Sequence, residues 1–323
     1  MATHTQQPPP ARDTTPERPH APRSAPRTGR AHRDATRTAW AYLTPTLVVV
    51  GAVTVFPVLF SLAMSFSHVN LSYSGFELEG PTLDNYAALF SSGRWYGALA
   101  FTLFYTVVTV AVELALGTLV ALVLERLTVG RGWLMALLLV PWAMITVVSA
   151  QLWAFMLNSS YGVVSWFFDL IGLEVVILGE PAPAIAAVMV ADIWKTTPFV
   201  AIIVLAGLVA IPREQYEAAS IDGANAWHSF WRITLPQLTS TLAIAVLFRT
   251  LQSFGVFDLP FVMTGGGPGT ATEPLALLGW RVMFQSLNLG AGAAIAVTTG
   301  GIVLIMCLLA LKVFRAQVGE VRR

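Results

Sequence analysis

Five ionisable side chains fall inside or near the ends of long apolar runs: Glu113, Asp192, Lys195, Arg249 and Asp258. An ionised group at the centre of a bilayer costs about 2.5–3.5 kcal/mol on insertion scales. Such residues therefore face a bundle interior or a water-filled path. Two roles fit them. One is a buried pair joining helices, for example Glu113 with Lys195 or Arg249. The other is the lining of a solute path. Lys195 lies three residues after Asp192, a spacing that lets them pair along one helix face. Pro198 frees the backbone carbonyl of Trp194, a local break of the kind that occurs beside solute cavities.

Other chemistry is missing from the pattern. His68 and His228 stand alone, and the five histidines show no metal-ligand spacing. No metal and no catalytic set is expected. A single cysteine, Cys307, excludes an internal disulfide framework and a thiolate cluster. The glycine run at 265–269 is not followed by Gly-Lys-Ser/Thr, so it reads as turn chemistry and not as a phosphate loop.

The elements that must hold these residues are read from hydropathy. Of 323 residues, 55% are apolar and 11% charged. Soluble domains carry about 25% charge. The mean hydropathy is +0.67. Apolar runs at 41–66, 98–124, 133–157, 184–210, 238–262 and 290–314 each suffice for a helix across a bilayer, which needs about 20 residues. The expected class is an all-α integral membrane protein with six transmembrane helices. Nineteen Lys and Arg balance 18 Asp and Glu, so net charge offers nothing to a nucleic acid.

Orientation follows from the flanks. Fifteen of the 19 basic residues lie in the N-terminal stretch, at 124–132, at 211–237 and from Lys312 onward. The alternate flanks hold only Arg94 and Arg281. Basic residues gather on the cytoplasmic side, so both termini are expected there. Residues 1–39 carry seven prolines and seven arginines and no large aliphatic or aromatic residue. They read as a disordered cytoplasmic tail ahead of a membrane domain at 40–323. They lack the apolar core of a signal peptide.

The connection at 211–237 contains IPREQYEAASIDGANAWHSFWRITLP. Pro212 suits a first helical turn. Arg213 to Ile221 predicts a short helix, with Glu214 and Glu217 near its positive end. Gly223 ends it. A second short helix, with Trp227, Phe230, Trp231 and Ile233 as its apolar residues, leads into the next span. On physical grounds this is either an amphipathic loop on the membrane or a low-profile knob for a soluble partner.

The segment resembles the EAA loop of binding-protein-dependent ABC importer permeases: Glu217-Ala218-Ala219, then Gly223, then Ile233-Thr234-Leu235-Pro236 at the family spacing. Leu83-Asp84-Asn85-Tyr86 with Phe90, the stretch from Asp192 through Trp194-Lys195-Thr196-Thr197-Pro198 to Phe199, and Phe257-Asp258 with Thr264-Gly265-Gly266-Gly267-Pro268 resemble elements of the carbohydrate (maltose, trehalose and glycerol-phosphate) branch. The resemblance covers residues 40–315. It implies a type I ABC importer permease fold in a bacterial cell membrane. It implies ATPase coupling through Glu217, Ala218, Ala219, Asp222, Gly223, Ile233, Leu235 and Pro236.

The chain itself would bind no cofactor and catalyse nothing. The resemblance implies magnesium ATP in two partner ATPase subunits, a second homologous permease subunit and an extracytoplasmic solute-binding protein. The solute implied is a disaccharide such as trehalose or maltose, moved by alternating access. The Arg- and Pro-rich tail and the alanine-rich composition resemble a high-GC actinobacterium and favour trehalose. Glycerol-3-phosphate or an oligosaccharide is the alternative solute. An ion-coupled secondary transporter is the alternative class. A sugar path wants aromatic faces and polar groups matched to hydroxyls. Glu113, Trp194, Lys195, Thr196, Thr197, Arg249, Gln252, Phe254 and Asp258 are its candidates.

Overall fold

The computed structural model describes residues 28–72, 75–173 and 175–321. They divide into two compact units, with the boundary between Pro57 and Val58. In the first, α1 runs over Thr28–Val50 and a π-helical turn, Gly51–Val55, leads into α2, Phe56–Ser65. Helix is thus present from Thr28, where composition predicts disorder to residue 39. No proline follows Pro26 before Pro45, and Ala and Arg, good helix formers, fill the interval. The rest of the expected tail, residues 1–27, lies outside the described residues.

In the second unit, α2 ends at Ser65 and two strands follow, β1 over Ser67–Ser72 and β2 over Gly75–Pro81. They pair antiparallel, a small hairpin that the all-helical expectation lacks. Then come α3, Asp84–Ser91, and α4, Gly93–Arg126. The Leu83–Tyr86 element caps the preceding helix. Asn85 Nδ2 donates to the carbonyls of Ser65 and Ser67 at 3.1 and 2.9 Å, and Tyr86 Oη meets Ser65 Oγ at 2.8 Å.

Next are α5, Arg131–Ala143, and α6, Thr146–Met156, which meet at 88°. The single span expected at 133–157 is therefore a broken one. Pro141 cannot continue the i→i−4 ladder, and the chain turns extended at Met144. Helix α7 covers Val163–Leu170 and α8 covers Pro181–Val209. Beyond α8 lie α9, Arg213–Ile221, and α10, Ala226–Ser229. A π-helical turn, Phe230–Thr234, joins α10 to α11, Leu235–Phe254. Helices α12, Asp258–Thr264, and α13, Leu275–Trp280, precede a third π-helical turn, Arg281–Gln285, and α14, Leu289–Val321.

The span expected at 238–262 is also corrected. Gly255 stops α11, and α12 turns aside to pack on α6 and α8. Among the described residues, five helices are long and apolar enough to cross a membrane, or six with the bent α5–α6 pair.

Helix α8 is the most enclosed span and lies along α4. At their closest approach a Cβ on Gly117 would stand 2.7 Å from Val200 Cγ1. Only glycine lets the backbones come so near, the usual device of helix packing in lipid. Three apolar cores result. One joins Phe101 and Tyr105 of α4 to Ala150, Val188 and Leu259. A second joins Ala121 and Leu124 to Val200, Val204, Leu238 and Ala245. A third packs Trp95 and Ala98 on Phe254, Leu275, Leu278 and Ile295.

Candidate functional site

Helix α9 starts from Pro212, which sits at the N-cap with φ −60° rather than within the first turn as expected. Glu214 lies in the first turn, where the helix dipole favours an anion. The helix closes through two backbone bonds. Gly223 N–H donates to Ser220 O at 3.1 Å, and Ala224 N–H donates to Ala219 O at 2.9 Å. These are the two bonds of a Schellman motif, and Gly223 holds the left-handed position with φ +80°. Asn225 then caps α10, accepting from His228 N–H at 2.9 Å.

The expected separate second helix is instead the head of one continuous helical run, Ala226–Phe254. Pro236 cannot donate to the carbonyl four residues back. The wider π turn at Phe230–Thr234 accommodates that defect next to Pro236.

The loop is tied to the bundle at its base. Tyr216 Oη meets Thr234 Oγ1 at 2.9 Å, and the Gln215 and Gln237 amides bond side chain to side chain. Ile211 is buried in the core beneath. Ile233, Leu235 and Pro236 are half-buried at the foot of α11. Glu217, Ala218, Asp222 and Gly223 are exposed, Ala219 is half-buried, and Ile221 is 86% exposed. A Cβ on Gly223 would meet nothing within 4 Å. The result is a small rigid knob on a fixed base. Tyr216, Asn225 and Thr234 were not among the expected site residues. An asparagine directly before a helix start is the signal that could find Asn225; nothing local marks the Tyr216–Thr234 contact, which joins residues 18 positions apart.

Between the first two cores lies a cluster of buried charges. Glu113 of α4 is fully buried and Arg249 of α11 is 2% exposed. Arg249 Nη2 donates to Glu113 Oε1 at 2.8 Å, and its Nε donates to Glu113 Oε2. Nη2 also reaches Asp192 Oδ2 at 3.0 Å and Ser253 Oγ at 2.8 Å. Arg249 Nη1 donates to Gln252 Oε1 at 2.9 Å. Thr196 Oγ1 donates to Glu113 Oε1 at 2.5 Å. The guanidinium thus links α4, α8 and α11, with carboxylates on two sides.

Lys195 does not pair with Asp192, contrary to the spacing argument. Its ammonium donates to the carbonyls of Trp142 and Met144 at 3.2 and 2.9 Å. Those carbonyls stand at the C-terminal end of α5, where the ladder stops and a cation is favoured. Lys195 therefore fastens the break in the third span.

The remaining path candidates divide by exposure. Trp194, Gln252 and Asp258 are at least partly exposed, and Thr197 is half-buried. Thr196 is buried, and Phe254 is fully buried in the third core, so in this conformation neither lines an opening. Trp194 packs edge-on against Trp153 with centroids 5.8 Å apart.

At the other end of α4 a second charge cluster holds the glycine-rich loop. Glu273, 1% exposed, accepts from Arg94 Nε and Nη2 at 2.7 Å each and from Arg281 Nη1 at 2.5 Å. Thr264 and Thr272 hydroxyls meet at 2.6 Å across the loop. Among the described residues no group of His, Cys, Asp and Glu could hold a metal ion.

A bundle of long apolar helices, one of them broken, with a capped helical knob between the fourth and fifth spans, defines a multi-pass membrane transport subunit. The chain belongs to the binding-protein-dependent transport system inner membrane components, matching that family over residues 85–318. It is 42% identical over 234 residues to the trehalose/maltose transport system permease protein MalF of Thermococcus litoralis, covering 72% of this chain and 79% of that one. It is 33% identical over 278 residues to the trehalose transport system permease protein SugA of Mycobacterium tuberculosis, covering 86% and 89%. A bacterial ABC transporter that imports the acidic polysaccharide alginate shares its fold, with a TM-score of 0.77 at 24% identity over 89% of this chain and 99% of that one.

Proposed function

We propose that this chain is one transmembrane subunit of an ATP-driven importer for a disaccharide, trehalose or maltose. The observation that carries the reading is the α9–Gly223–α10 knob, fixed at its base and open around its tip. It is suited to enter a cleft of a separate ATPase subunit. Glu217, Ala218, Ala219, Asp222 and Gly223 form the inserted surface. Ile233, Leu235 and Pro236 pass the motion into α11. The solute class is supported by the two relatives, whose names give trehalose or maltose as their solute. Both termini face the cytoplasm, and a second permease subunit completes the path. A binding protein delivers sugar at the opposite face, as supported by the alginate transporter solved with its sugar-loaded periplasmic protein. Trp194, Thr197, Gln252 and Asp258, none of them buried, line the path in this reading, while alternation between inward- and outward-open states is driven by ATP in the partner.

Uptake of labelled trehalose, maltose and glycerol-3-phosphate in a strain lacking the gene tests the solute. Loss of one disaccharide, restored by the wild-type gene, is the expected result. Unchanged uptake of all three removes the solute assignment. Gly223→Trp tests coupling. A side chain there strains the left-handed turn by about 1–2 kcal/mol, while its Cβ meets nothing within 4 Å. Normal membrane insertion with uptake lowered about tenfold or more, the equivalent of at least 1.4 kcal/mol at the docking contact, is expected. Uptake at the wild-type level would rule out a docking role for the knob.

A further inference from the structure

A cleft of about 780 Å³ opens beside the knob, between the ends of α4, α5 and α8 and the start of α10. Its walls share one polarity gradient. On α4, Leu119, Leu122 and Arg126 line it, at helical spacings that place them on one face. From the end of α8, Leu208 and Val209 lead to Arg213 at the start of α9. Arg131, the first residue of α5, closes the same end. Each wall is thus apolar toward the middle of the spans and cationic at the mouth.

Arg126, Arg131 and Arg213 have no acidic partner within ion-pair distance among the described residues. The cleft also contains the acids Glu125 and Glu217, leaving its lining with a net single positive charge. Trp227 and Phe230 complete the lip. Trp231 stands edge-on to both, at 5.6 and 5.5 Å between centroids. Indoles of this kind sit at the headgroup level of a bilayer. Leu119, Val209 and Trp227 are each more than half exposed, so the cleft is open from its apolar wall to its aromatic lip.

We propose that this cleft binds an anionic phospholipid of the surrounding leaflet. Its phosphate is held by Arg126, Arg131 and Arg213, and one acyl chain lies along Leu119, Leu122 and Leu208. The depth match favours a lipid over a soluble protein partner, because Leu119 and Leu122 lie within the apolar part of the α4 span. Charge favours an anionic headgroup over a zwitterionic one.

The test uses the full chain in its purified transporter assembly, with retained lipid counted by native mass spectrometry. Phosphatidylglycerol and phosphatidylcholine are added in separate arms. Preferential retention of phosphatidylglycerol is expected, falling about fivefold for each arginine removed in Arg126→Gln and Arg131→Gln. Leu122→Trp fills the cleft without changing charge and is expected to lower retention as well. It decides the question alone if the arginine variants do not assemble. Equal retention of the two lipids, or full retention in Leu122→Trp, overturns the proposal. Displacement of phosphatidylglycerol by millimolar inorganic phosphate would make this a free-anion site and overturn it too. Lipid retained only after the partner subunits are stripped away would show that a protein fills the cleft in the assembly, and this also overturns the proposal. None of these readouts depends on which solute is carried.

Discussion

Arg249 and Glu113, 136 positions apart in the chain, face each other as a two-point ion pair inside the bundle. Arg249 is at the same time bonded to Asp192 at 3.0 Å. Both carboxylates would be costly alone at this depth, so the guanidinium is the group that makes the other two tolerable. The pair joins α4 to α11 between a core that binds α4 to α8 and a second that binds α4, α8 and α11 together. Its hydrogen bonds, including those from Arg249 to Gln252 and Ser253, are internal to the bundle.

Removing one partner of such a pair strands the other. Arg249→Met is expected to lose about 3–5 kcal/mol, seen as a lower melting temperature in detergent and a lower yield of inserted protein. The double variant Glu113→Gln with Arg249→Met is expected to recover part of that loss, because it strands one carboxylate fewer. A melting temperature of Arg249→Met equal to wild type would mean that the pair contributes nothing to holding the helices.

How much of this was legible in the sequence depends on the range of the interaction. The knob was readable because its chemistry is local. Pro212, Gly223 and the Glu-Ala-Ala triplet lie within a dozen residues, and helix caps are decided over one turn. Glu113 and Arg249 could be named as a possible pair, since each is anomalous in an apolar run. Which cation Glu113 meets depends on how α4 and α11 pack, and that is not written in either segment. The two misplaced spans have the same origin. The run at 133–157 is continuously apolar, so hydropathy shows no break between α5 and α6. Only Pro141 signals it, and proline is tolerated in membrane helices. Lys195 misled for a related reason. Asp192 is its neighbour in sequence, but the carbonyls it binds come from a helix end more than fifty residues earlier.

That placement of Lys195 has a measurable consequence. Its ammonium satisfies two carbonyls released at the α5–α6 bend. Lys195→Met is expected to leave them open and to cost about 1–3 kcal/mol. The cost should be local. Faster hydrogen exchange of the backbone amides at 142–146 reports it, in a bend where Ile145 is already 71% exposed. Lys195→Arg keeps a cation and is expected to retain most of the protection. Unchanged exchange in Lys195→Met would show that the bend holds without the capping charge.

The clamp at the far end of α4 separates a replaceable partner from an irreplaceable one. Glu273 is 1% exposed, whereas the Arg94 and Arg281 side chains are 46% and 22% exposed. An exposed cation that loses its partner is rehydrated, whereas a buried carboxylate that loses a donor is not. Arg94→Met removes the donor to Glu273 Oε2, while Arg281 still holds Oε1, so the loop keeps one of its two charged anchors. Glu273→Gln removes the charge that both arginines share and frees Arg281, whose other nitrogen bonds the Gly265 carbonyl. The loop at 265–272 then loses its link to α4 while keeping the Thr264–Thr272 bond within itself. Glu273→Gln is expected to raise the rate of limited proteolysis in that loop several-fold more than Arg94→Met does, with membrane insertion unchanged. Equal protease resistance in the two variants would place the anchoring of the loop in its own threonine bonds and not in the Glu273 clamp.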